Sequence, residues 1–209
     1  MTIDTSKGIA GLKGALRYVR AYRDHVFVVK LGSDVLSDRH NLDQVSAQLA
    51  LLASLSIRLV VVHGGGTQAS ALSRRLGQEP ELVAGRRITD DAALDVVKMV
   101  YRGQLGTDLV AALRHHGVAA VGLSGVDGDL ISAHRRPPVR VVDDAGVERI
   151  VDYGHVGDID KADPRVLGTL LDARFVPVVS SLAGDAEGNV YNVNADTVAE
   201  TLATALKAQ

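Results

Sequence analysis

Arg58-Leu59-Val60-Val61-Val62-His63, followed at once by Gly64-Gly65-Gly66-Thr67-Gln68, decides the fold class. Leu59 to Val62 leaves no polar face, as expected of a strand buried on both sides in a parallel sheet. Beyond the glycines, Ala69, Leu72 and Leu76 recur at helical spacing, so the chain passes from strand to helix through a glycine turn. Glycine lets the main chain approach an anion closely, and the helix start adds oriented N–H groups. The alternative is a tight structural turn, but such a turn seldom needs three glycines.

Working outward, the same kind of run occurs at His25–Lys30, Val118–Leu123 and Arg174–Val179. Helical spacing of apolar residues lies between these runs, over Asn41–Leu55, Asp90–Arg102, Asp108–His116, Asp163–Asp172 and Ala195–Lys207. A further helix, Ile9–Tyr22, precedes the first strand. Val139–Val142 and Val147–Tyr153 flank Asp143-Asp144-Ala145-Gly146 and read as a β-hairpin at the rim of the sheet. Alternating strands and helices define an α/β fold with right-handed crossovers. No repeat, linker or low-complexity segment divides the chain, which fits one domain or one lobe.

Composition narrows the function classes. The 209 residues carry 23 basic and 25 acidic side chains, a formal net charge of −2, so no basic footprint marks a nucleic-acid or anionic-membrane partner. Cysteine is absent, which excludes disulfides, thiolate metal sites and cysteine nucleophiles. The apolar runs are too short to span a bilayer. Met1-Thr2-Ile3-Asp4-Thr5 lacks a secretory n-region, so a cytoplasmic location is expected.

Five stretches can carry chemistry. Lys30 ends a buried strand and is followed by Gly32 and Ser33; a cation there can hold a phosphoryl group, or simply snorkel to solvent. The glycine turn is the second; Gly64, Gly66 and Ala69 also fit a relaxed dinucleotide fingerprint, although no acidic residue is clearly placed at a strand end about twenty positions on. No Walker A sequence occurs. In Gly85-Arg86-Arg87-Ile88-Thr89-Asp90, Thr89 or Asp90 can cap a helix, while an arginine can grip a carboxylate or stand solvated. Gly122–Gly128 reads as a structural loop. In Tyr191-Asn192-Val193-Asn194-Ala195-Asp196, Asn194 can be an N-cap, leaving Asn192 for a polar substrate group and Asp196 to hold lysines. The histidines show no metal spacing: His115 and His116, as helical neighbours, are not expected to face one ion, and His63 and His155 read as structural.

These motifs in this order resemble the amino acid kinase family and, within it, the acetylglutamate kinases. The resemblance runs from about Ala21 to Lys207 and includes Gly154-His155-Val156-Gly157. It implies a three-layer α/β/α sandwich with a mostly parallel central sheet. It also implies ATP-dependent phosphorylation of the side-chain carboxylate of N-acetyl-L-glutamate in arginine biosynthesis, with Mg²⁺ accompanying ATP and a homodimer or higher homo-oligomer. Carried over, Lys30 and Asp196 are the catalytic pair; Gly65, Gly66, Arg87 and Asn192 bind substrate; Lys30, Gly32, Ser33 and Gly65 meet ATP phosphates. No residue is expected to ligate a metal. Ser33 stands where the family usually has a second glycine, which narrows the approach to the phosphate. The chain ends at Lys207-Ala208-Gln209, where the resemblance leads one to expect a nucleotide-binding lobe with a second catalytic lysine. The acyl-amino-acid-binding lobe alone is expected to be weakly active or inactive. The alternative is a non-catalytic acetylglutamate- or arginine-sensing domain of the kind found in acetylglutamate synthases.

Overall fold

The structure, a computed structural model, describes residues 16, 17, 19–142 and 146–209. Most of the helix expected over Ile9–Tyr22, and Asp143–Ala145 of the hairpin turn, lie outside the described residues.

Four parallel strands, β1 (Val26–Leu31), β2 (Arg58–His63), β5 (Ala120–Ser124) and β10 (Val176–Ser180), form the central sheet in the order β1-β2-β10-β5. They are the four apolar runs of the sequence, with ends displaced by at most two residues. The inner strands β2 and β10 are buried throughout except at Arg58, which is why their sequences lack a polar face. Their side chains alternate between two cores. Leu59, Val61 and Val178 pack with Leu49 of α1 (Arg39–Ser54) and with Val97, Leu109 and Leu113. Val60, Val62 and Val179 pack with Leu167 and Leu171 of α5 (Arg165–Asp172) and with Val198 and Leu202 of α6 (Ala195–Leu206). Helices on both faces make the expected three-layer sandwich.

The helices expected over 90–102 and 108–116 are one rod. α3 (Asp91–Lys98) passes through a π-helical segment, Met99–Leu105, into α4 (Gly106–His115), with helical dihedrals at both joins, Met99 (φ −59°, ψ −45°) and Gly106 (φ −60°, ψ −41°). Gly103 weakens the helix locally, but Val100, Tyr101 and Leu105 are buried around it and hold the rod together.

α2 (Gly66–Arg75) follows the glycine turn. β3 (Leu82–Val83) and β4 (Arg86–Arg87) form a tight ribbon turned by Ala84 (φ +48°) and Gly85 (φ +72°). A second sheet, ordered β12-β11-β6-β9, joins β6 (Ile131–Arg135), β9 (Gly157–Ala162), β11 (Leu182–Gly184) and β12 (Val190–Asn192). The predicted hairpin is present as β7 (Val139–Val142) and β8 (Glu148–Val151). A small core of Val83, Val151 and Tyr153 fastens it to the β3–β4 ribbon, and the Tyr153 hydroxyl donates to the Val83 carbonyl at 3.0 Å. Among the described residues no helix is long and apolar enough to cross a membrane.

Candidate functional site

A cavity of about 700 Å³ opens where β1 and β2 end, the side of an open α/β sheet on which ligands bind. Lys30, Ser33, Gly65, Gly66, Arg87, Asn192 and Asp196 all line it. Gly32 does not, although its neighbours Leu31 and Ser33 do.

Lys30 reaches the cavity from β1, and its Nζ lies 3.0 Å from Asp196 Oδ1 in the first turn of α6. Both side chains are partly solvent-accessible, so the pair contributes little to stability; it fixes where the ammonium stands. Ser33 is tied to α2, its carbonyl accepting from Gln68 Nε2 at 2.8 Å.

Two helices begin at the cavity, and their starts differ. Asn194 caps α6, its side-chain oxygen accepting from the N–H groups of Asp196 and Thr197. α2 begins after Gly65, which has no side chain to cap with, so no cap side chain satisfies the amides of its first turn. Gly65 is also a steric requirement: a Cβ there would run into Leu105 and Tyr101 of the π segment. At Gly64 a Cβ would touch Ala195 Cβ at 3.4 Å, so the turn and the start of α6 approach closely.

Arg87 comes from β4 and is half-buried. Its guanidinium donates to the Gly66 carbonyl at 2.9 Å and to the Ser70 hydroxyl. Burial lowers its pKa and nearby Tyr101 opposes the shift, while burial raises the pKa of Tyr101 itself. Arg87 stays charged at any physiological pH. Among the described residues, it joins Lys30, Arg86 and Arg136 to bring four cations to a cavity lined by one carboxylate, Asp196.

The far wall is a seam of main-chain bonds. Thr89 N–H donates to Tyr153 O at 3.0 Å, His155 N–H to Thr89 O at 2.7 Å, and Asn192 N–H to His155 O at 2.8 Å. Asn192 Nδ2 also donates to Thr89 Oγ1 at 3.3 Å. The segment 153–156 thus splices β4 to β12 and sets Arg87 and Asn192 in one wall. Gly154 has φ +69°, and a Cβ there would strike the Thr89 carbonyl.

Asp90 is the N-cap of α3, accepting from Ala93 N–H at 2.8 Å. His63 and His155, read as structural, do not line the cavity. His63 is fully buried, with Nδ1 2.9 Å from the Gly64 carbonyl and Nε2 without a partner; burial lowers its pKa, against the raising effect of the Gly64 bond. His155 Nε2 lies 2.6 Å from Asp91 Oδ1. The Gly122–Gly128 loop turns the chain, with Asp127 accepting from the Ser124 N–H and hydroxyl. Sequence reading passed over Arg136, Ser70 and Tyr101. Arg136 lines the cavity while held by Asp158 at 2.5 Å, and its only sequence signal is the Arg135-Arg136 doublet. His115 and His116, not expected to face one ion, come together with Asp43: the Nε2 of His116 lies 2.8 Å from Asp43 Oδ1, and ligand atoms of Asp43, His115 and His116 all lie within 4.8 Å of one another.

The model of the amino acid kinase family matches residues 25–209. Acetylglutamate kinase from Myxococcus xanthus (strain DK1622) is 50% identical over 201 residues, 96% of this chain and 65% of its own length. Acetylglutamate kinase from Methanothrix thermoacetophila is 39% identical over 195 residues, 93% of this chain and 66% of its own. The chain therefore spans about two thirds of the length of these curated relatives. Among solved structures, the N-acetylglutamate synthase from Neisseria gonorrhoeae complexed with coenzyme A and N-acetyl-glutamate superposes with a TM-score of 0.76 at 26% identity, over 96% of this chain and 43% of that one. Giardia carbamate kinase shares the fold, with a TM-score of 0.58 at 15% identity, over 88% of this chain and 71% of that one.

Proposed function

The chain belongs to the amino acid kinase family, and from that we propose that it is the acyl-amino-acid-binding part of an acetylglutamate kinase, which transfers the γ-phosphoryl group of ATP to the side-chain carboxylate of N-acetyl-L-glutamate. One observation carries the reading: Lys30, Gly65, Gly66, Arg87, Asn192 and Asp196 converge on one cavity whose four cations outnumber its single carboxylate.

Each group has a role its chemistry suits. Arg87, oriented by Gly66 and Ser70, pairs with the substrate α-carboxylate through its planar guanidinium. Asn192 offers an amide to the acetamido group. The uncapped amides after Gly65 and the Lys30 ammonium meet negative charge building on the transferring phosphoryl group, and Asp196 holds that ammonium in place. The side-chain carboxylate is already ionised near neutral pH, so no general base is required. Its oxygen forms a bond to the γ-phosphorus as the bond to the β–γ bridging oxygen breaks, giving an acyl phosphate and ADP with no proton transferred. Positioning and charge stabilisation suffice for such a step. Among the described residues that line the cavity, Asp196 is the carboxylate and is engaged with Lys30, so phosphate oxygens and water would hold the magnesium expected with ATP.

The sensing-domain alternative has the gonococcal synthase likeness in its favour. The 50% identity to a kinase favours catalysis. Calorimetric titration of the chain with N-acetyl-L-glutamate tests the reading. Saturable binding is expected, at least about tenfold weaker in Arg87→Ala, the loss of a charge-assisted bidentate pair. Binding unchanged in Arg87→Ala, or binding of L-arginine alone, would overturn it.

A further inference from the structure

Away from the cavity, the end of α4 departs from what its sequence implies. Side chains of adjacent helical residues diverge by about 100°, yet His115 and His116 converge with Asp43. The helix stops at this point. Gly117 takes φ +79°, its N–H donating to Arg114 O and that of Val118 to Leu113 O, both at 3.0 Å, the double-bonded glycine ending of many helices. His116 therefore sits at the cap (φ −88°, ψ 16°) rather than on the helix face. Its ring lies 5.1 Å from that of His115, edge to face, and its Nε2 meets Asp43 on α1. Leu113 and Val118 are buried in the core, so this ending is firmly anchored.

Two imidazole nitrogens and one carboxylate oxygen, gathered from two helices, form the donor set of a borderline-soft dication. The setting favours positive charge, since the C-terminal end of the helix dipole is negative. Magnesium prefers all-oxygen ligands. We propose that Asp43, His115 and His116 bind a transition-metal dication of the Zn²⁺ class. The ion would clip the first half of α1 to the end of α4, with its remaining position open to water or an external donor. None of the three residues lines the cavity, so the site stands independently of the kinase reading.

The test is calorimetry and thermal unfolding of the full chain with zinc chloride near neutral pH. One equivalent is expected to bind and raise the unfolding temperature, while magnesium chloride gives no response. His115 is exposed, so His115→Ala leaves the metal-free unfolding temperature in place; it is expected to weaken zinc binding about tenfold or more, as is Asp43→Asn. His134, which likewise faces a carboxylate, Asp160, at 2.7 Å, is the control, and His134→Ala is expected to change nothing. Zinc binding undiminished in His115→Ala, or lost equally in His134→Ala, would overturn the assignment, as would the absence of binding below millimolar zinc.

Discussion

Gly154 shows how much of a binding wall can depend on a missing methylene. Its φ of +69° is a region that L side chains enter at a cost of roughly 1–2 kcal/mol. A Cβ there would also collide with the Thr89 carbonyl, which is main chain and cannot swing away. Gly154→Ala should therefore destabilise the protein by at least about 2 kcal/mol, measured by urea unfolding, and weaken N-acetyl-L-glutamate binding by parting Thr89 from His155. Sequence patterns picked out Gly154-His155-Val156-Gly157 without giving it a task. Lys30, Gly65, Gly66, Arg87, Asn192 and Asp196 were readable because each sits at an abrupt change, where a strand ends or a helix begins. Arg136 was not readable, since a cation inside a run of polar residues looks like solvated surface until the fold brings it to the cavity.

At the scale of elements, legibility followed burial. The four strands of the central sheet announced themselves as apolar runs, most plainly the inner pair β2 and β10, buried on both faces. β9 carries Asp158, Asp160 and Lys161, and β11 and β12 have only three residues each, too few for a period to register. The rod from Asp91 to His115 was read as two helices because local propensity breaks at Gly103, while the packing of Val100, Tyr101 and Leu105 does not. Helix endings repay the same scrutiny. α1 closes with Ile57 N–H on Leu52 O and Ser56 N–H on Ala53 O, which puts Ser56, not a glycine, at φ +63°. Ser56→Gly should raise the unfolding free energy by a few tenths to about 1 kcal/mol, the relief of the left-handed strain less the entropy gained by the unfolded chain. Chemical denaturation would detect it as a higher midpoint with an unchanged slope.

Across the whole molecule, the two-faced sheet lets one end of the structure be polar while the interior stays apolar. His63 marks the boundary, fully buried at the end of β2 behind the glycine turn. Burial lowers its pKa, so the unfolded chain takes up a proton that the folded one refuses once the pH drops below about 6.5. The sign follows: stability is intact above that pH and declines as pH falls below it, until the folded-state pKa is reached. Urea midpoints at about pH 7.5 and pH 5.5 should differ in the parent and differ less in His63→Gln, whatever the absolute stability of the variant. The splice through residues 153–156 has a consequence of another kind. Arg87 and Asn192, more than a hundred positions apart along the chain, cannot separate without breaking hydrogen bonds between backbone groups. On the proposed reading they act as the fixed jaw of a caliper, with the Lys30 side as the other, so a ligand with one methylene more or fewer between its charged ends should bind more weakly.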